Sequence, residues 1–414
     1  ALASNGLADV RVRFIYRAIA LAHASRHYLR GTPPGPDTKP FLQPEEWEAM
    51  QKSTNPPDYL LQRMGTDLRL CLDSGRIDTN IACGIDQTLS SLAAAVAGGV
   101  TAVACPPDTN PPLDEPGLVE RLVRHSEALG LARVFPIGAL TQQLAGEKLS
   151  EMNSLVRAGC LAFSQAKEPI LDTQILFRAM QYAATFGYTV HLQPEDHYLA
   201  RDGVAHDGEV ASRLGLAGVP VCAETVAIST ALQLAGETGA RLHFARLSSA
   251  AGVALVRQAR QQGAKVSCDV AVHHLHLSEV DIGYFDSHAR FDPPLRSGAD
   301  RAALRKAVSE GLAAVCSDHS PVDEDGKQLP FAEAVPGATG LELLLPLTLK
   351  LAEEMKIPLV TALARVTCDP AAVLGIDAGT LAVGKPADIC VFEAHEPWRV
   401  LPEALRSQGK NTPF

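Results

Sequence analysis

Gly98-Gly99-Val100-Thr101-Ala102-Val103-Ala104-Cys105-Pro106-Pro107-Asp108-Thr109-Asn110-Pro111-Pro112 holds a helix stop, a strand and a loop in one short stretch. The paired glycines supply the left-handed cap that ends a helix. Val100–Cys105 is apolar and rich in β-formers, and the prolines after it can continue neither helix nor ladder. Working outward, the same alternation recurs. Candidate strands are Asp67–Leu72, Val100–Cys105, Arg133–Ile137, Cys160–Phe163, Thr189–Gln193, Arg241–Leu247, Lys265–Val272 and Ala313–Ser317. Helical stripes lie between them, among them Leu118, Leu122 and Val123, then Val253, Leu255, Val256 and Ala259. Eight strands alternating with helices indicate an α/β fold, a (β/α)8 TIM-type barrel rather than an open sheet.

The chain ends read differently. Gly31–Pro36 breaks an early helix, and Gln43–Met50 is helical again. The Arg-rich, acid-poor opening reads as an exposed helix rather than an organelle transit peptide. Because residue 1 is Ala, the reading treats the N-terminus as trimmed or incomplete. At the other end Gly379–Asp388 is a turn, and Ile389-Cys390-Val391-Phe392 a strand outside the barrel. The expected organisation is an N-terminal segment over 1–66, a barrel over 67–376 and a C-terminal segment over 377–414.

The 414 residues are 46% apolar and 20% charged, with a formal charge of −10. A chain of this composition buries a large core unaided, and it offers no basic face for nucleic acid or anionic lipid. No stretch reaches the ~20 apolar residues of a membrane span. The nine cysteines are scattered, with no C-x-x-C pair, which argues against a disulfide framework and for a reducing, cytoplasmic setting. No Walker or Gly-X-Gly-X-X-Gly pattern follows a strand, and no nucleophile elbow is present.

Chemistry in such a barrel sits at the C-terminal strand ends. There the chain carries Pro107-Asp108-Thr109-Asn110-Pro111, His191-Leu192-Gln193-Pro194-Glu195-Asp196, His243-Phe244-Ala245-Arg246-Leu247-Ser248, His273-His274-Leu275-His276, Asp292-Pro293-Pro294-Leu295-Arg296, Ser317-Asp318-His319-Ser320-Pro321 and Gly340-Leu341-Glu342. Four of these runs together (at 107–111, 292–296, 317–321 and 340–342) resemble the dihydroorotase branch of the amidohydrolase superfamily, over about residues 60–414. The resemblance implies a barrel with a small accessory β-sandwich built from the chain ends, so that 377–414 and part of 1–66 would be strands of that module. It also implies one or two zinc ions activating a hydroxide against a cyclic amide.

The positions the resemblance assigns to metal and substrate carry the wrong side chains. The first-strand His pair falls on Arg69 and Cys71, and the substrate-carboxylate Arg on Asp73. The bridging acid falls on Gln165, the strand-five His on Gln193 and the strand-six His on Arg246. Of the ligands only Asp318 is kept. Of the substrate contacts Asn110 is kept, whereas the Asn before the double proline is Asp292 and the His closing the last loop is Val322. Zinc needs three or four N, O or S donors at about 2 Å. One carboxylate does not provide them, and an arginine, never deprotonated, repels a dication by several kcal/mol at an effective dielectric of ~20. The expectation is therefore no metal, no cofactor and no catalytic residue, with the arginines turned onto Asp318, Asp73 or Glu195.

Other readings are weaker. His191 lies on the face of Gln193 but about 6.6 Å deeper, and strand alternation points His243 away from the face of Arg246. His274 and His276 read as loop-shaping, and Asp67 as a backbone partner at a strand end. Ser248, His319 and Asp318 do not make a triad, because adjacent residues lack the geometry. Within the family the pattern resembles the non-catalytic dihydroorotase-like chains that accompany aspartate carbamoyltransferase in some bacteria. That resemblance implies a structural subunit for the transferase catalytic chain, six copies with six. The alternatives are a working zinc amidohydrolase (dihydroorotase, hydantoinase or allantoinase) with atypical ligands, and a small-molecule sensor that keeps the cavity.

Overall fold

The computed structural model of the protein describes residues 10–73, 91–396 and 398–414, and the side chains among them except those of 10–15, 29 and 68–73. Its centre is a seven-stranded, wholly parallel sheet. The strands are β1 (Ala102–Cys105), β2 (Arg133–Ala139), β3 (Ala162–Ser164), β4 (Thr189–Leu192), β7 (Arg241–Phe244), β8 (Val266–Ala271) and β9 (Ala314–Cys316), paired in that order. A two-residue parallel pair, β5 (Ala205–His206) with β6 (Gly218–Val219), lies in the excursion between β4 and β7. Seven of the eight expected strands are thus present, in the expected order and curvature of a β/α barrel wall. Helices cover the outer face, and their stripes, such as Val253, Val256 and Ala259, bury against outward-facing Leu242, Phe244, Cys268 and Val270. The inward face is polar, with Ser164, His191, His243, Ser267 and Asp269 in alternate register.

The expected first strand is not a strand. Residues 67–72 are the end of a helix, α3 (Pro56–Asp73), which follows α1 (Val10–Leu29) and α2 (Pro44–Lys52). Pro56 stands at the first helical position, where its missing N–H costs nothing. Leu60, Met64 and Asp67 then fall on one buried helical face. The alternation of Leu68, Leu70 and Leu72 imitates a strand, but leucine and arginine are also strong helix formers, and tertiary packing settles the matter.

Nor is α1 exposed. Ala18, Ala20, Leu21 and Ala24 are buried in a core shared with Trp47, Met50, Leu60, Met64, Leu92 and Ala95. Arg17, 2% exposed, ties the three helices together. Its Nε donates to Glu46 at 2.8 Å and its Nη1 to Asp67 at 2.5 Å. Asp67 is therefore an ion-pair partner within a helix rather than a backbone partner at a strand end.

The accessory β-sandwich also fails to form among the described residues. One end of the chain is the helical layer α1–α3, and 377–414 carry no strand. Among the described residues Ile389–Phe392 makes no backbone–backbone hydrogen bond. What anchors the tail is side-chain chemistry. Glu342 accepts from the Arg406 and Ser407 amides at 2.7 and 3.0 Å, and Asn411 accepts from Val322 N–H at 3.0 Å.

Candidate functional site: the barrel mouth

The C-terminal strand ends converge on a cavity of about 1420 Å³, lined by Asn110, Lys167, His191, Gln193, Arg246 and Asp318 among others. Across its mouth runs an unbroken chain of polar contacts. Lys167 Nζ lies 3.5 Å from Asp292, Gln193 Nε2 donates to Asp292 at 3.2 Å, Arg246 donates to Gln193 Oε1, and Arg246 Nη1 donates to Asp318 Oδ1 at 2.9 Å. Two cations and two carboxylates balance.

Arg246 reaches this position because the chain leaves the strand at Phe244. Its φ is +59°, and its amide donates to Asp269 at 2.7 Å. The strand alternation that would have set His243 and Arg246 on opposite faces does not extend past that turn. Both point inward, and the His243 ring lies 4.6 Å from the His191 ring. Burial pushes the Asp318 carboxyl up, but the Arg246 guanidinium outweighs it and holds the group below the usual carboxylate range.

Beneath this chain lies a second polar layer. His243 bonds Ser267 Oγ and Asp269 Oδ2, each at 2.9 Å. Burial raises the Asp269 carboxyl, but the His243 hydrogen bond and charge bring it below its ordinary value. His191, 7% exposed, is pushed well below the ordinary imidazole value by burial and by His243 beside it, and among the described residues its Nε2 has no hydrogen-bond partner. Burial holds the Cys316 thiol protonated. Ser267 does not line the cavity, so the Ser–His–Asp contact offers no nucleophile to a substrate. The inward period of Ser267 and Asp269 within β8 was the signal for this layer. Lys167, just past β3, gave none.

The remaining predicted positions divide. Gln165 is 3% exposed and is spent on Thr141 Oγ1 at 3.0 Å and the Leu144 carbonyl at 2.8 Å, so it does not reach the mouth. Asn110 lines the cavity, and Asp292 belongs to the polar chain. Val322 is buried against the C-terminal tail. Arg69, Cys71 and Asp73 have helical backbone in α3 rather than a place at a strand end, and their side chains lie outside the described residues. His274 and His276 bond the Pro293 and Leu347 carbonyls at 3.0 and 2.9 Å, in keeping with loop-shaping.

The zinc that this type of barrel implies does not fit the described residues of the mouth. Among the described residues no group of three or more His, Cys, Asp or Glu side chains could hold a metal ion. The place beside Asp318 is taken by a guanidinium that already has two acceptors.

Fold and mouth together define an amidohydrolase-type barrel, and comparison with known proteins agrees. Residues 79–251 match the family model "Dihydro-orotase-like" and residues 221–411 the model "Amidohydrolase family". A "Dihydroorotase-like protein" of Pseudomonas aeruginosa is 44% identical over 326 residues, 78% of this chain and 77% of that one. A "Dihydroorotase" of Syntrophotalea carbinolica is 40% identical over the same shares. The chain belongs to the dihydroorotase-like family of amidohydrolases.

Among solved structures, the L-hydantoinase (dihydropyrimidinase) of Arthrobacter aurescens superposes with a TM-score of 0.67 at 24% identity. That match covers 78% of this chain and 74% of the other, and it speaks to the fold alone. Residues 2–106 also match the model "Bacterial/Fungal Bestrophin protein", a match that runs through α1–α3 into β1. Among the described residues no helix is long and apolar enough to cross a membrane.

Proposed function

We propose that this chain is a catalytically inactive dihydroorotase homologue, a cytoplasmic structural subunit that supports assembly and activity of an aspartate carbamoyltransferase catalytic chain in pyrimidine biosynthesis, with six copies of each. The observation that carries the inactive reading is Arg246. A permanent cation bonded to Asp318 and Gln193 stands where a metal-dependent hydrolase needs neutral or anionic donors. The one retained ligand-type carboxylate, Asp318, is committed to that cation. Similarity to a chain called a dihydroorotase-like protein, rather than a dihydroorotase, is in keeping with this reading.

Subunit function follows from what a barrel without chemistry retains, an outer helical surface on which interface energy concentrates in a few buried anchors. The test is reconstitution. The purified chain is mixed with the transferase catalytic chain of the same organism, and mass, carbamoyl-aspartate formation and dihydroorotate ring opening are measured. The reading expects a defined complex with transferase activity that depends on this chain, and no ring opening. A zinc-replete chain that stays alone and opens dihydroorotate overturns it.

A further inference from the structure

The loop that carries Asp318 leaves β9 at Ser317 and returns at Thr339, and its two legs run side by side. Ser320 N–H donates to the Ala338 carbonyl at 2.9 Å, and His319 bridges to Ala338. The loop holds its shape at a cost. Asp318 sits in the left-handed region at φ +44°, which disfavours a residue with a Cβ. At the tip the Lys327 amine, in a residue only 6% exposed, donates to the Ser287 carbonyl at 3.0 Å. Burial and Arg290 beside it push that amine down to about 8.

Residues 405–414 fasten the neck of this loop. Asn411, itself 6% exposed, stands between the legs. Its Oδ1 accepts from Val322 N–H at 3.0 Å on the outgoing leg, and its Nδ2 donates to the Gly337 carbonyl at 2.9 Å on the returning one. Its own carbonyl accepts from Thr339 N–H at 2.9 Å. An amide side chain offers donor and acceptor together, so one residue ties both legs. Two residues earlier the tail lies flat on the loop. A Cβ at Gly409 would stand 2.6 Å from both the nitrogen and the oxygen of Val322, so no side chain fits there unless the two segments part. Gln408 and Gly409 line the same cavity as Arg246 and Asp318. The segment is moored to the barrel on either side of these contacts, by Glu342 at the Arg406 and Ser407 amides and by the Phe414 ring 5.9 Å from that of His273.

We propose that residues 405–414 are a clasp on the mouth loop, and that letting go at Asn411 frees Ser317–Thr339 to open as one unit and uncover Arg246. Without Asn411 the buried Val322 amide and Gly337 carbonyl lose their partners, and opening hydrates them. Opening also relaxes Asp318 and returns the Lys327 ammonium to water. The tail thereby controls access to a site several loops away in sequence.

Residue-resolved hydrogen exchange on the full chain compares the native protein with Asn411→Ala and Gly409→Ala. The first removes the bonds, and the second wedges the tail off the Val322 backbone. The deciding amides are Ser320, Val335 and Gly337, whose acceptors on Ala338, Gly326 and Arg290 lie outside the tail. The clasp predicts that both variants speed all three by about 10-fold or more, while Leu242 in β7, bonded to the Lys265 carbonyl, keeps its native rate. Phenylglyoxal modification of Arg246, followed by peptide mass, should quicken in step with them. Faster exchange confined to Val322 and Thr339 would make Asn411 a local anchor and overturn the proposal. An equal rise at Leu242, native rates in either variant, or Arg246 modified no faster than in the native chain would overturn it as well.

Discussion

Arg246 Nη1 lies 2.9 Å from Asp318 Oδ1 inside the barrel mouth, and the two side chains are only 16% and 6% exposed. A contact of this kind ties the loops that follow β7 and β9, two strands that β8 separates. It also places a charge that nothing in the site neutralises except Asp318 and, more distantly, Asp292.

Removing one partner of that pair should cost far more than removing both. Arg246→Met leaves Asp318 buried without its cation, with an expected loss of about 3–5 kcal/mol. The double variant Arg246→Met/Asp318→Leu should recover most of it. Urea unfolding of the two single variants and the double variant measures the coupling. Additive losses would show that the contact carries no interaction energy.

The same geometry predicts how a metal site could be restored. Arg246 contacts both Gln193 and Asp318, so these positions converge. Zinc should leave the melting temperature of the native chain unchanged. In Gln193→His/Arg246→His, where two imidazoles join Asp318, it should raise it by several degrees through mass action. Zinc stabilisation of the native chain, abolished by Asp318→Asn, would contradict the assignment of Arg246.

In the helical layer one cation serves two buried carboxylates. Arg17→Met should remove the cation that Glu46 and Asp67 share and cost about 3–5 kcal/mol, concentrated in α1–α3, with Arg63 still 3.9 Å from Glu46. Limited proteolysis should then release the first seventy or so residues (the extent of α1–α3) before the barrel is cut. Equal cutting rates in variant and native chain would place the stability of this layer elsewhere.

Stability should fall on mild acidification. Burial holds His273 and His319 down to about 4, against about 6.5 in an unfolded chain. Between those values the unfolded state binds more protons, so stability is fully present above about pH 6.5 and is lost as pH falls toward 4. Each histidine contributes at most about 3 kcal/mol to that slope. The depressed Asp318 adds loss in the same direction at lower pH. Thermal melts from pH 7.5 to 4.5 check this, and a flat profile would mean that these rings are hydrated.

Seven strands, their order and the polar strand ends were legible because each rests on local signals: β-rich runs, capping glycines and loops of proline and aspartate. Charge alone offered Arg246 three carboxylates, Asp318, Asp73 and Glu195, and the structure pairs it with Asp318. The facing of His243 was not legible, because its direction depends on where the strand stops, and the left-handed turn at Arg246 has no signature in residue type.

The sequence by itself determined a parallel β/α wall and put an amide at Gln193 and a guanidinium at Arg246, at the strand ends, since periodicity and side-chain chemistry belong to the residues. Only the tertiary structure decided residues 67–73. Their alternating leucines suit strand or helix alike. They became the end of α3 because Leu60, Met64 and Asp67 bury on one helical face against α1, with Arg17 paired to Asp67. A local pattern that satisfies two structures equally is resolved by whichever one buries more and leaves fewer charges unpaired.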